Sequence, residues 1–422
     1  MRRAACVAWL AWMLSMPAFA ERLTLEAALA TVDAEHPDRR LAESEVALAR
    51  AGREEAASRQ DFNLYLDGSL RTGLRPDGNW TPDNVGRIVA RKPLFDFGRT
   101  RQALAAADQE VAASEEALYE AEGLRRIDIM ARFFDVLMAD RQYAADNEFM
   151  AVAYVAWDNA RDRFRVGQIS QPELLRLETE YQDARERRNA SEQHMRLARE
   201  RLAQAMNRPG VLSTDLAEPR LKDNDRLLPD YEALLPWAMA KNPRILALQA
   251  QAAAADARVA AIRAERNPTL DAEVVGGRYS RESITRDDLS AGLVFAVPLY
   301  QGRRVDARIA RALAEKERAL AALEKSRFEL SDTLLATVQE IEWLRGSGRA
   351  AADKQVEYRD WALERARAEY ELELKTNLGT SMAETQVAQI RRKRVEYRLA
   401  LALARLQALS GGTLPPVEGA RK

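Results

Sequence analysis

Apolar residues recur along most of this chain at the three- and four-residue steps of a helix. In four short places they recur instead at every second position. The longest helical stretch follows the segment Pro93-Leu94-Phe95-Asp96-Phe97-Gly98-Arg99. No proline occurs between Gly98 and Val166, and Ile127, Met130, Phe134 and Leu137, then Phe149, Val152 and Val155, keep helical spacing. At ~1.5 Å per residue such a helix spans about 100 Å. A helix of that length needs a partner, and after a break at Gly167 to Pro172 the segment Glu173 to Met206 supplies one. The design then recurs. Pro298-Leu299-Tyr300-Gln301-Gly302-Arg303 is followed by Leu330, Leu334, Val338, Ile341 and Leu344, by a break at Asn377 to Gly379, and by a return segment Ser381 to Leu409. Two long antiparallel helical hairpins are expected.

The recurrence extends beyond the hairpins. Residues 24–61 read as a helix with Leu25, Leu29, Val32, Leu41, Val46 and Leu48 on its apolar stripe, interrupted at His36-Pro37. Residues 231–266 repeat it with Asn242-Pro243 at the break, 206 positions on; Leu64 and Leu270, and Phe164 and Tyr370, keep the same offset. A period this long marks a duplicated domain half, not a stacking repeat. The division expected is a first repeat over 21–210 (strand pair 62–95, hairpin 98–206), a linker 211–229, a second repeat over 230–412 (strand pair 268–300, hairpin 302–409) and a tail 413–422.

The alternating stretches lie between the first helix and the hairpin of each repeat. Leu64, Leu66, Gly68 and Leu70 alternate with polar neighbours, as do Ile88 and Ala90 after the turn-rich segment Arg75 to Asn79. Leu270, Ala272 and Val274 follow the pattern in the second repeat, and Leu289, Ala291, Leu293, Phe295 and Val297 show it most clearly. Strands with one apolar and one polar face are half-buried strands of an α+β domain, or staves of a membrane barrel. Four strands cannot close a barrel, and lipid tolerates no open sheet edge, so the second reading requires several chains to build one barrel together.

Composition narrows the function. Arg2 and Arg3, an apolar run to Met16, and Pro17-Ala18-Phe19-Ala20 form a cleavable secretory signal over 1–20. The only cysteine, Cys6, lies inside it, so the mature chain is expected to have neither disulfide nor thiol chemistry. Removing Arg2 and Arg3 from 64 basic residues leaves 62 against 65 acidic, a net charge of −3, and no basic excess points to nucleic acid. No later window of eighteen residues is both apolar and uncharged, so no transmembrane helix is expected. His36 and His194, the only histidines, fall at unrelated helical positions and read as surface or packing residues. No His/Cys cluster has metal-ligand spacing. Gly276-Gly277 reads as strand bending and Gly346-Ser347-Gly348 as a helix irregularity. The run Arg391 to Arg394 reads as a solvated face. No catalytic residue, cofactor or metal site is expected.

The order helix, strand pair, long helical hairpin, twice over behind a signal, resembles the TolC-like outer-membrane efflux family. The Pro-Leu-aromatic-Gly steps at 93–98 and 298–302 carry the likeness. So do the turn Phe164-Arg165-Val166-Gly167-Gln168-Ile169-Ser170 and the helix ends Leu202 to Gly210 and Leu406 to Gly411. The resemblance covers residues 23 to 412. It implies a mainly α fold: an α-barrel tunnel of long antiparallel hairpins, plus four strands per chain in a twelve-stranded transmembrane β-barrel shared by a homotrimer. It further implies an outer-membrane location with a large periplasmic part, outer-membrane lipid around the barrel, and a passive exit duct. The tips implied to dock a periplasmic adaptor and an inner-membrane pump are Phe164 to Ser170 and Tyr370, Leu374, Lys375, Thr376 and Asn377. The implied tunnel-entrance lining is Glu173, Gly379, Met382 and Glu384, and the lipid-facing strand residues are Leu289, Ala291, Leu293, Phe295 and Val297. The sequence departs from the family at Glu373, where a glycine is usual, at Gly379 and Met382, where many relatives carry aspartate, and at Phe62 in place of a proline. A soluble periplasmic coiled-coil adaptor or scaffold is the alternative; such a protein has one hairpin between β-rich halves, and this chain has two.

Overall fold

The computed structural model describes residues 22–76, 78–208, 210, 215–280, 287–372 and 378–416. The signal segment and four of the tip residues named above (Leu374, Lys375, Thr376 and Asn377) lie outside this range.

Helix α1 (Leu25–Leu29) passes through a 3-10 turn into α2 (Pro37–Ser58). At the break, His36 Nδ1 accepts the Asp38 amide at 3.2 Å, and Pro37 fits the first turn, where its missing N–H is not needed. The same device joins α5 (Tyr231–Lys241) to α6 (Pro243–Arg263), with Asn242 accepting the Ile245 amide at 3.1 Å. The first hairpin is α3 (Arg99–Arg165), unbroken over 67 residues, and α4 (Gln171–Ala205). The second is α7 (Arg304–Trp343), a π-turn at Leu344–Gly348, α8 (Arg349–Glu371) and α9 (Leu378–Leu409). The return helices start earlier than expected, at Gln171 and Leu378.

Strands β1 (Asn63–Ser69), β4 (Val85–Phe95), β5 (Thr269–Tyr279) and β6 (Leu289–Ala296) form one antiparallel sheet in the order β1-β4-β5-β6. Between β1 and β4 the chain makes a further ribbon, β2 (Thr72–Leu74) with β3 (Trp80–Pro82), where only a turn was expected. The first strand stops at Leu70 and Arg71, where Asn84 Oδ1 takes the Arg71 amide at 3.2 Å. Val297, assigned to the lipid-facing strand, lies one residue past the end of β6.

Nearest the sheet the helices neighbour one another in the order α2-α3-α6-α7; beyond the middle of the chain the order is α4-α3-α9-α8. The large core residues gather where the two tiers meet. Ile129, Phe133, Phe134 and Leu202 form one cluster, and Leu234, Leu334, Ile341, Leu344 and Leu406 another. Phe134 stacks on Tyr397 with centroids 4.5 Å apart and joins the two hairpins. Elsewhere the seams run on alanine (Ala106, Ala113, Ala184, Ala254, Ala366, Ala388), which lets helix backbones approach closely. α6 is apolar and long enough to cross a membrane by length and composition, yet it packs between α3 and α7. Of the apolar stripes predicted, that of α7 is buried throughout, whereas Leu41, Leu48 and Val155 are exposed on flanks turned away from their neighbours.

Candidate channel wall and hairpin tips

The register of the sheet sorts its side chains into two chemically different faces. Pairing Leu64 with Ala90, Ala90 with Val274 and Val274 with Ala291 sets one row. Leu66, Ile88, Gly276 and Leu289 make the next, and Ala272 with Leu293 and Leu270 with Phe295 continue the same face. That face is apolar between Lys92 and Arg278 near the strand ends, and open: Leu66, Leu289, Leu293 (66% exposed) and Phe295 have no covering layer in the single chain. The opposite face carries Tyr65, Asp67, Arg87, Arg91, Asp271, Glu273 and Tyr279. Arg87 pairs with Asp67, and Arg91 Nε donates to Glu273 Oε2 at 2.9 Å, each across neighbouring strands. Apolar on one side and ion-paired on the other is the pattern of a stave between lipid and water. Both edge strands, β1 and β6, keep an unpaired edge.

At the middle of the molecule, the segment after Asp215 is tied to both hairpins. Leu23 donates its amide to the Asp215 carbonyl at 3.0 Å, so the start of the described chain pairs with this segment. Glu218 accepts from Tyr397 Oη (2.7 Å), Lys393 Nζ (2.8 Å) and Arg141 (2.5 Å). Burial pushes Glu218 upward, but these three donors outweigh it and hold the carboxyl below the usual range. Burial, reinforced by the bond to Glu218, pushes the Tyr397 phenol up. A second knot grips the π-turn. Arg345 donates to the Asn224 and Arg226 carbonyls at 3.0 and 2.7 Å, and Arg349 reaches Glu396 at 2.7 Å and Asp225 at 2.5 Å. The extra residue of a π-turn aims both arginines at the same short segment. Nearby, a cavity of about 570 Å³ opens between α3, the Asn242-Pro243 break, α7 and α9. Glu120 lines it, and burial raises its carboxyl above the ordinary range.

The first tip is fully placed. Gly167 closes it with φ of 76°, a left-handed conformation that disfavours a side chain, and its amide donates to the Phe164 carbonyl at 2.9 Å. Gln168 donates to the Arg163 carbonyl at 2.9 Å; Ser170 and Pro172 then open α4. Val166 projects outward, Phe164 is partly exposed, Ile169 is half-buried, and Arg165 pairs with Asp162 at 3.3 Å. Tyr370 stands exposed near the end of α8.

The proposed entrance residues do not converge within one chain. Glu173 lies on the first hairpin beside Arg163, and Arg176, bonded to it at 2.7 Å, holds its carboxyl below the usual range. Gly379 lies on the second hairpin against Val152, eleven residues higher on α3, about 16 Å at the helical rise. Glu384 is taken up by Arg359 in the α8–α9 seam, and Met382 is partly exposed. Sequence reasoning passed over the link between Gln386 and Glu148 (2.6 Å), which ties the two hairpins just above this level. Among the described residues, no cluster of His, Cys, Asp or Glu has the arrangement of a metal site.

An ion-paired, one-sided sheet continued by two alanine-seamed helical hairpins is the fold of outer-membrane channels with a helical tunnel, which this chain resembles. Residues 234–412 match the outer membrane efflux protein family. The chain is similar to the Campylobacter jejuni CmeC outer membrane channel, with a TM-score of 0.75 at 14% identity over 92% of this chain and 85% of that one. It is similar also to the Neisseria gonorrhoeae MtrE outer membrane channel in its open state (TM-score 0.72, 18% identity, 92% and 89% covered). In sequence it is 27% identical over 291 residues to Protein CyaE of Bordetella pertussis. That match takes in 66% of this chain and 60% of the relative's length. The resemblance to the TolC-like family drawn from the sequence therefore holds, through the fold of nearly the whole chain and the family match of its second half. The fold of nearly the whole chain is the one these outer-membrane channels share.

Proposed function

We propose that this chain is one third of a passive outer-membrane exit duct. Three copies place their four-stranded sheets edge to edge in a single barrel, and their hairpins continue it as a tunnel through the periplasm. The observation that carries the reading is the sheet: an open apolar face, an ion-paired opposite face, and unpaired edges on β1 and β6. Lipid admits no open edge, and threefold rotation brings β6 of one copy antiparallel to β1 of the next. The apolar face then meets lipid, and the ion-paired face lines the bore. The chain acts by shape and lining charge, without catalysis, in a tripartite efflux or secretion system. The first tip, Phe164 to Ser170, and the second, at Tyr370 and Leu374 to Asn377, dock a periplasmic adaptor that couples the duct to an inner-membrane pump. Glu173, Gly379, Met382 and Glu384 stand near the tunnel entrance.

The test is the native mass of the protein extracted from outer membranes in mild detergent. A trimer is expected. A monomer recovered without detergent overturns the reading and returns the strands to a soluble scaffold.

A further inference from the structure

Two of the cations around the cavity of about 570 Å³ have no anion. Arg126 on α3 and Arg405 on α9 both line it and are exposed, and among the described residues neither makes an ion pair or a hydrogen bond. Of the carboxylates on the same wall (Asp33, Glu120 and Glu122), Glu122 is taken by Arg39 at 3.6 Å, and none pairs with Arg126 or Arg405. The two arginines also stand level. Phe134 stacks on Tyr397 across the antiparallel pair α3 and α9, so eight residues toward the sheet from that contact 126 is level with 405. Fifteen residues along, the register still holds, since a Cβ on Gly412 would fall 2.6 Å from Tyr119 Oη. Two unpaired guanidinium groups at one height on neighbouring helices repel each other, and their donor forks fit a carboxylate or a phosphate. Between the arginines and Tyr119, α3 carries Gly123, its only glycine in 67 residues. Glycine inside a helix is destabilising relative to alanine, yet no heavy atom lies within 4 Å of a Cβ built at this position. No close approach requires it there; what it keeps is open volume. Leu124, Ile127, Ala404, Ala408 and Leu409 give that volume apolar walls.

We propose that this cavity binds an anionic amphiphile, a carboxylate or phosphate head on a single acyl chain. The head sits between Arg126 and Arg405, and the chain runs toward the sheet over Gly123. From Arg126 to Tyr119 is seven residues of α3, about 10 Å at the helical rise, and the volume falls in the range of small-ligand pockets. The charges set the orientation. Both arginines and Leu124 (58% exposed) stand at the mouth, whereas half-buried Glu120 lies six residues nearer the sheet, where a head of its own sign is repelled. An organic cation seated on Glu120 would leave the arginine pair without its anion. The head site lies between α3 and α9, the inner helices of their tier, and does not rest on the ring proposed above.

The test is photolabelling of the full chain in outer membranes with dodecanoate carrying a diazirine on its chain, followed by mapping of the labelled peptides. Label is expected in peptides covering 119–127 and 404–412, competed by dodecanoate but not by dodecyltrimethylammonium or inorganic phosphate. Gly123→Leu, which fills the cavity, should abolish that label. Arg126→Gln with Arg405→Gln should lower it roughly tenfold. The native mass of the extracted protein, unchanged from the parent in either variant, is the check on folding, and the two variants guard against one failing it. Competition by the cation makes Glu120 the anchor and overturns the proposal. Competition by inorganic phosphate reduces the site to a plain anion site and overturns the acyl chain. Label that persists in folded Gly123→Leu, or its absence from these peptides in the unaltered chain, overturns the site altogether.

Discussion

Glu218 and Glu120 are two half-buried carboxylates whose environments push them in opposite directions. Glu218 is held low by Lys393, Tyr397 and Arg141 against the effect of burial, so its stabilisation is present above the ordinary carboxylate range and is lost as pH falls through it. Acidification below about pH 4 should release the segment after Asp215 first, seen as faster amide exchange there than in the hairpins. Tyr397→Phe removes one of its donors and should cost about 1–3 kcal/mol, read from the urea midpoint. Glu120 behaves the other way. Burial raises it, so the folded state disfavours its charge, and the deficit disappears as pH falls through the raised value. Glu120→Gln should raise the melting temperature at pH 8 and leave it unchanged at pH 4. Neither residue was visible as special in the sequence, because their pKa shifts depend on neighbours brought from 77 to 179 positions away. An acidic residue reads the same in the sequence whether it ends in water or in a knot.

At the scale of elements, the hairpins were legible because period and breaker residues agree. A proline-free run with helical spacing, then Gly167 and Pro172, leaves no other structure for α3 and α4. The staves were legible for the same reason, since Leu289, Ala291, Leu293 and Phe295 recur at every second position, with Val294 the one apolar residue out of phase. Two features were not, although Gly346-Ser347-Gly348 did mark the π-turn as a helix irregularity. The β2–β3 ribbon is too short to show a period. The stagger between hairpins is set by contacts such as Gly379 on Val152, which no local pattern encodes. That contact is tight: a Cβ on Gly379 falls 2.7 Å from Val152 Cγ2, and a β-branched valine has little freedom to turn aside. Gly379→Ala should push α9 from α3 near the second tip and lower stability by about 1–3 kcal/mol. Adding Val152→Ala should recover most of the loss, a coupling measured by the double-mutant cycle.

On the scale of the whole molecule, both tiers of helices and the sheet end in unsatisfied flanks on the same two sides, which is why the exposed leucines Leu41 and Leu48 looked like ordinary stripe positions in the sequence. A stripe announces that a helix has a partner, not which chain supplies it. The apolar face of the sheet carries the sharpest prediction at this scale. Leu293→Arg, on the lipid side, should cost about 2–4 kcal/mol in barrel stability and deplete the protein from the outer-membrane fraction. An equivalent charge at Ser290, on the bore side, should leave that fraction intact. The open edges of β1 and β6 have a genetic consequence as well. In the proposed ring each sheet is completed only by its neighbours, so one faulty copy spoils a ring containing two sound ones. In a cell making equal amounts of normal and Leu293→Arg chains, random mixing leaves only about one ring in eight wholly normal. The altered allele should therefore act as a dominant poison, and a cell carrying both alleles should lose far more than half of its ducts.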